Sequence, residues 1–509
     1  MKNVLAIDFG ASSGRAVIGS FDGTVIKLTE IHRFSNDPVI LGKTMYWDFL
    51  RLFHEIKQAL IKSKEYGEID SIAIDTWGVD FGIIDKSGRL LENPVHYRDS
   101  RTSGTYDYSK RFIDHKKLYE KTGIQIMEIN TAFQLLSIIR DRAELLDRAD
   151  KILMMPDLFA YYLGAKPVAE MSIASTTQLF NAEKKNWSEE CCERLKIKHS
   201  LLPKIVNSGT VVGTLSDEIC KELDIKPAKI IAACGHDTQS AMVAVPASEK
   251  DFAFLSCGTW SLLGTELDAP VINVKSAKLN VSNETGYGAK TSFLKNIIGL
   301  WLIQESRRQW IREGKQYSFA ELEDMARKAE PFRCFIDVDA PEFTPAGNIP
   351  ERIKEYCKKT GQYVPASDGE VMRCIYESLA MKYRTAVSEL EDCTDKKFTK
   401  LYMVGGGTKD KFLSELTADA LGIEVSSGPV EATSYGNIAI QLMADGEIAD
   451  IETARKIIAA SEKLYTFTPK NASEWNRYYE IYRKEQNVNF PNRNEDMREL
   501  LKIQNRNRA

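Results

Sequence analysis

The nine cysteines of this 509-residue chain include no C-x-x-C pair, and Cys191 and Cys192 are adjacent, a spacing that fits neither a zinc finger nor a thioredoxin-like redox motif. Free buried thiols in a reducing cytoplasm account for them, and spacing alone assigns no disulfide. Nor is there an excess of one charge. A net charge of −4 with acids and bases interspersed leaves no broad positive field for nucleic acid and no polybasic anchor for a membrane. No apolar run approaches membrane-spanning length, and the opening Met1-Lys2-Asn3, followed by a short apolar run and Asp8, is too brief and too acidic for a signal peptide. A Walker A loop is absent, because Asp37 stands where the leading glycine should precede Gly42-Lys43-Thr44. A dinucleotide fingerprint is absent too, because Asp410 replaces the last glycine after Gly405-Gly406-Gly407. Small molecules are the expected partners of a cytoplasmic protein that is a monomer or a small homo-oligomer.

What is present is a chain with 43% hydrophobic and 28% charged residues, long enough for two domains. The apolar run Val4-Leu5-Ala6-Ile7 leads into Asp8-Phe9-Gly10-Ala11-Ser12-Ser13-Gly14-Arg15. A buried strand therefore ends in an acid and a turn of glycines and hydroxyls. Gly10 and Gly14 are expected to let the backbone approach an anion, Ser12 and Ser13 to donate to phosphate oxygens, and Asp8 to hold Mg2+ through its waters. Arg15 has a phosphate or an acidic neighbour as its partner, with nothing in the sequence to choose between them. A second block of this design is Phe252-Ala253-Phe254-Leu255-Ser256 followed by Cys257-Gly258-Thr259-Trp260-Ser261. One Gly-Ser turn is an ordinary hairpin. Two such blocks point to a duplicated nucleotide cleft.

The pattern divides the chain at Pro246 into domains of 1–245 and 246–465, followed by a C-terminal helix and polar tail over 466–509. In the first domain a hairpin turns at Phe21-Asp22-Gly23, and a helix over Trp47 to Lys64 buries Trp47, Leu50, Phe53, Ile56 and Leu60. A mostly helical insertion is expected over about 118–202, with a helix from Gln134 to Arg148. Ile230-Ile231-Ala232-Ala233-Cys234 then reads as a buried strand that ends in Gly235-His236-Asp237-Thr238. In the second domain Lys400-Leu401-Tyr402-Met403-Val404 opens into the Gly405-Gly406-Gly407 turn and a helix, an arrangement that binds anions and nucleotides. On spacing alone, Asp237 is a cap for the helix beginning at Thr238 or a general base.

Two phosphate loops and a third glycine turn are the layout of the actin-like ATPase superfamily. The blocks Ile74-Asp75-Thr76-Trp77-Gly78-Val79-Asp80, Tyr97-Arg98-Asp99-Ser100-Arg101-Thr102, Leu255 to Ser261, Lys295-Asn296-Ile297-Ile298-Gly299-Leu300-Trp301, Gly428 to Ala432 and Gly436-Asn437-Ile438 resemble the FGGY carbohydrate kinases. The likeness covers roughly residues 1 to 465, although the tetrapeptide that names the family does not occur. It implies an α/β fold of two actin-like (ribonuclease H-like) domains with a ligand cleft between them. It also implies ATP with Mg2+ and transfer of a phosphoryl group to the 1-hydroxyl of L-rhamnulose. Another ketose of the family, such as xylulose or fuculose, and a non-catalytic actin-like ATPase or sensor are the alternatives.

The resemblance makes Asp237 the base that takes the sugar proton. It places His236, Thr238 and Asn296 on the sugar, Gln304 on the nucleotide, Thr259 on the phosphate in transfer, and Gly405 and Gly406 beneath the adenosine or α-phosphate. Trp77 and Gly78 are expected to line the sugar pocket, with Asp80 as a hydroxyl partner. Ala11, Ser12, Ser13, Gly14 and Arg15 complete the nucleotide side.

Overall fold

The computed structural model describes residues 2–489. The end of the expected polar tail lies outside the described residues. The chain forms two compact units that are not contiguous in sequence. One runs up to Ser248 and adds Glu266–Leu294 and Glu431–Lys463; the other comprises Glu249–Thr265, Lys295–Val430 and the described residues from Leu464 onward. The single division at Pro246 thus becomes a set of exchanges.

In the first unit, β1 (Lys2–Phe9), β2 (Ser13–Phe21), β3 (Ile26–Ser35), β4 (Ser71–Thr76), β5 (Thr210–Thr214) and β6 (Lys229–Ala232) form one sheet in the order β5-β6-β4-β1-β2-β3. The chain enters as an antiparallel meander, β1 to β3, and then adds β4 parallel to β1 and β6 parallel to β4. Val4, Leu5, Ala6 and Ile7 are all fully buried, as expected of a strand covered on both faces.

Helix α1 (Phe49–Ser63) packs beside this sheet on a stripe that keeps Ile56 and Leu60 of the expected set but not Leu50. Asp48 caps it by accepting from the Arg51 amide, so Trp47 lies before the helix. The buried residues are Phe49, Leu52, Ile56, Ala59, Leu60 and Ser63, while Leu50 is 70% exposed. Helices make up most of the regular structure of 118–202, but short strands such as Lys151–Met154 and Val168–Glu170 interrupt them, and the helix expected from Gln134 to Arg148 splits into Thr131–Asp141 and Glu144–Asp147. The Thr131–Ile138 portion is wholly buried, so this is a core helix.

The second unit has the same plan. Strand β7 (Ala253–Cys257) pairs antiparallel with β8 (Trp260–Leu267) and parallel with β9 (Lys400–Val404), which pairs parallel with β10 (Glu424–Ser427). Eight of the nine cysteines are buried, Cys220 being the exception. The thiols of Cys334, Cys357 and Cys374 come within 4.8 Å of one another, a grouping their spacing does not signal.

Candidate active site

Parallel strands that end at one edge bring distant residues together. In the β1–β4 register Asp8 lies opposite Asp75. Beyond β6 the chain stays in line: Thr76 donates its amide to the Gly235 carbonyl at 2.8 Å and pairs with His236 as an isolated parallel bridge. Asp8, Asp75 and Asp237 therefore face one another at the carboxyl edge of the first unit's sheet. Burial, then the neighbouring Asp8, holds the Asp75 carboxyl well above the usual carboxylate range. Burial raises Asp237 to about 6, against the pull of His236. Asp75 Oδ1 is buried with no hydrogen-bond partner. An orphaned oxygen in a set of carboxylates is the hard-donor chemistry that suits Mg2+.

Asp237 is the first residue of helix α2 (Asp237–Val243), and His236 occupies the cap position without a side-chain capping bond. Asp237 does bond locally, accepting from the Thr238 amide at 2.6 Å. His236 Nδ1 lies 2.8 Å from Glu284 Oε2, which also accepts from Gln239 Nε2 at 2.9 Å. On the other side of the ring, His236 Nε2 is 3.6 Å from Asp237 Oδ1. Burial opposes a charge on this ring, but Glu284 and Asp237 outweigh it and push the imidazole up to about 9. The Gly235 amide donates to Glu170 at 2.9 Å and the His236 amide to Ser172 Oγ at 3.2 Å, so the backbone of this turn is also clamped. The sequence pattern does not single out Glu170, Ser172 or Glu284. They lie about 65 residues upstream and 48 residues downstream of their partners, where no local spacing could link them.

The 10–15 loop differs in detail from its expected role. Ser12 and Ser13 are exposed and Ala11 is half-buried. Gly14 is also required by packing, because a Cβ there would lie 2.3 Å from the Phe34 ring. Asn36, another residue with no signal in the sequence, pins the loop by donating Nδ2 to the Gly10 carbonyl at 2.9 Å and its amide to the Ser12 carbonyl at 3.1 Å. Arg15 has acidic partners, donating to Asp8 at 2.6 Å and pairing with Glu431. Burial opposes its charge, but these two acids raise its pKa above the usual guanidinium value.

Around Trp77 the expected pocket residues are organised by Asp80. Asp80 Oδ2 accepts from Trp47 Nε1 at 2.6 Å, Trp77 Nε1 at 3.0 Å and the Tyr97 amide at 3.2 Å, and Oδ1 accepts from Gln134 Nε2 at 2.9 Å. Asp80 is fully buried, so its bonds go to the pocket walls rather than outward to a hydroxyl. Burial raises its carboxyl to about 6 against these donors. The Trp47 and Trp77 rings lie 3.9 Å apart. Between Gly78, which faces Thr176, and Asp80, Val79 holds φ +68. A β-branched residue adopts that backbone only under constraint. Thr176 Oγ1 accepts the Val79 amide at 3.1 Å and Thr131 Oγ1 donates to its carbonyl at 2.6 Å.

The second unit assembles a separate group. The Gly258-Thr259 turn meets the start of helix α3 (Trp301–Arg312): the Leu300 amide donates to the Gly258 carbonyl at 3.0 Å, and Thr259 Oγ1 donates to Gln304 Oε1 at 3.2 Å. After β9, Gly405 takes φ +89, which disfavours any side chain, and a Cβ there would lie 3.3 Å from the Cys257 carbonyl oxygen. Gly406 has open space on its side-chain face. Asn296 is half-buried in the strand Thr291–Ile298.

Known proteins bear on these two groups. The N-terminal domain of the FGGY family of carbohydrate kinases matches residues 3–244, and its C-terminal domain matches residues 253–444. The chain is 40% identical to a rhamnulokinase of Bacteroides thetaiotaomicron, covering 94% of this chain and 98% of that one. It is 38% identical to a rhamnulokinase of Bacillus subtilis, covering 92% and 95%. Its fold is similar to that of a ligand-bound xylulose kinase from Lactobacillus acidophilus, with a TM-score of 0.79, 18% identity and coverage of 96% and 98%. It is also similar to a Plasmodium falciparum glycerol kinase solved with ADP, with a TM-score of 0.76, 17% identity and coverage of 96% and 98%.

Proposed function

The chain belongs to the FGGY family of carbohydrate kinases, and from that premise we propose that it transfers the γ-phosphoryl group of ATP to the 1-hydroxyl of L-rhamnulose, giving L-rhamnulose 1-phosphate and ADP. It is a carbohydrate kinase with the two-domain actin-like α/β fold that its sequence blocks imply. No described helix is long and apolar enough to cross a membrane. The substrate reading is supported by the rhamnulokinase relatives, which match over nearly their whole length. The observation that carries the chemistry is the meeting of Asp8, Asp75 and Asp237 at one sheet edge.

In this reading Asp237 orients the 1-hydroxyl and takes its proton as the oxygen–phosphorus bond forms and the bond to the ADP oxygen breaks. A buried carboxylate raised to about 6 is a better base near neutrality than an ordinary one and is still mostly ionised there. His236 and Thr238 flank it as hydroxyl partners, and Asn296 is a further sugar contact. Trp77 and Gly78 form the wall of the sugar site, held in shape by Asp80, which acts as a positioning residue. Asp8 and Asp75 would hold Mg2+, which when bound offsets charge on the phosphates. Ala11, Ser12, Ser13, Gly14 and Arg15 lie on the phosphate side, and Thr259, Gln304, Gly405 and Gly406 serve phosphate and nucleotide.

The test is ADP release over a panel of ketoses, with the phosphorylated product identified by mass and the position of the phosphate by NMR. L-Rhamnulose turning over best, with phosphate on its 1-oxygen, is the expected result. Activity confined to aldoses would overturn the proposal.

A further inference from the structure

Glu284 stands apart from every block that the family resemblance rests on. It lies on the short strand Ser282–Thr285, whose pairing with Thr291–Ile298 makes a hairpin in the first unit. The residue is 5% exposed. A buried carboxylate is costly unless it is paired, and one oxygen, Oε2, meets both His236 Nδ1 at 2.8 Å and Gln239 Nε2 at 2.9 Å. Gln239 is fixed in turn, because its Oε1 accepts from Ser292 Oγ at 2.6 Å on the opposite strand of the hairpin. The imidazole is thereby held through Nδ1. With Nδ1 directed at Glu284, the Nε2 edge faces Asp237, 3.6 Å away.

We infer that Glu284 is a positioning residue for phosphoryl transfer: through Nδ1 it fixes the His236 ring so that the Nε2 edge faces Asp237. The inference rests on the kinase reading of Asp237. The charge balance supports it. The groups facing His236 are Glu284 from the hairpin, Asp237 from its own turn and Glu170 from the end of the strand Val168–Glu170. Burial favours a neutral ring, and Glu284 supplies the charge that opposes this while standing on the far side of the ring from Asp237.

The experiment compares full-length wild type with E284Q, E284D and H236N. The histidine resonances of the resting protein are followed by NMR against pH, with H236N identifying the His236 signal among the six histidines. The KM for L-rhamnulose and the KM for ATP are measured with each substrate varied in turn. Glutamine preserves shape and can still accept from Nδ1, so it isolates the charge. In E284Q the His236 titration is expected to fall by about one pH unit or more, the scale on which one nearby charge acts, and the KM for L-rhamnulose to rise by about threefold or more while the KM for ATP moves little. E284D, which restores the charge on a shorter arm, is expected to bring the titration part of the way back, and it decides the matter should E284Q fail to fold. Equal changes in both KM values, or a His236 titration unmoved in both Glu284 variants, overturns the inference. If no ketose is phosphorylated by the wild type, the functional reading fails, and the NMR titration still decides the role of Glu284.

Discussion

Asn437 donates its side-chain amide to the buried Asp75 carboxylate at 2.6 Å. Through this bond the helix Ala432–Ala444, from late in the chain, reaches the strand-end acids of the first unit. One turn on, Gln441 donates to the Leu5 carbonyl at 3.1 Å and to Asn437 Oδ1 at 2.8 Å, and it accepts from Ser71 Oγ at 2.7 Å. The helix thus has a polar seam laid across β1 and β4. N437A leaves a buried carboxylate oxygen without its donor and should cost about 1–3 kcal/mol of stability, the usual cost of an orphaned buried acceptor. Urea unfolding of wild type and variant measures it, with unchanged stability counting against the seam.

D237N should lower kcat by about 10²–10⁴-fold while the KM for ATP moves little, since the range is that of a lost general base. Steady-state kinetics with each substrate varied in turn gives both parameters. Full turnover in D237N would remove Asp237 from the mechanism.

The pH profile follows from the same carboxyl. Asp237 must be ionised to act, and its folded value of about 6 lies above the ordinary 3.8, so kcat/KM should fall by about tenfold per pH unit below that point. The His236 value of about 9 lies above the ordinary 6.5. A raised histidine adds stability that is complete below its unfolded pKa and is lost as pH rises through its folded one. H236N should therefore destabilise the protein more at about pH 6 than at about pH 10. Chemical denaturation of wild type and H236N at the two pH values gives the comparison.

Asp80 is expected to act on the sugar side alone. An asparagine there keeps one acceptor oxygen and turns the other position into a donor facing buried donors, so the hold on Trp47, Trp77 or Gln134 is lost. D80N should raise the KM for the ketose by about tenfold or more, corresponding to about 1.4 kcal/mol or more of lost pocket order, and leave the KM for ATP unchanged. Equal changes in both constants would show a general structural role instead.

Gly436 marks the closest approach of the helix Ala432–Ala444 to α2, since a Cβ there would lie 1.8 Å from the Ser240 carbonyl oxygen. Backbone cannot yield as a side-chain tip can. G436A should force the helices apart, lower stability by about 1–3 kcal/mol as overpacking does, and shift the helix that begins with Asp237. A thermal melt together with kcat reads both effects, and a variant as stable and as active as the wild type would contradict the packing.

Much of this architecture is legible in local pattern. The run Val4 to Ile7 is apolar without alternation, and it is a strand buried on both faces. The Gly405 turn after Val404 is a glycine turn because the backbone there takes a positive φ. Pattern fails where the deciding neighbour is remote. Leu50 fits an apolar period as well as Leu52, yet the Asp48 cap sets where α1 begins and Leu52 is the one buried. At Gly14 the Phe34 ring adds a packing reason for glycine that no local spacing signals. Asp80 looks like a free acid until two indoles and an amide are found on it.

The order of residues along the chain established the strand ends, the glycine turns, the family blocks and the choice of Asp237, because each depends on neighbours a few positions away. Folding decided which carboxylates share an edge, which acid holds His236, and that residues 431–463 pack with the first strands rather than with the segment preceding them. Those outcomes arise from burial and from hydrogen bonds that buried polar groups must find, and their partners lie tens to hundreds of residues apart, beyond the reach of any local period.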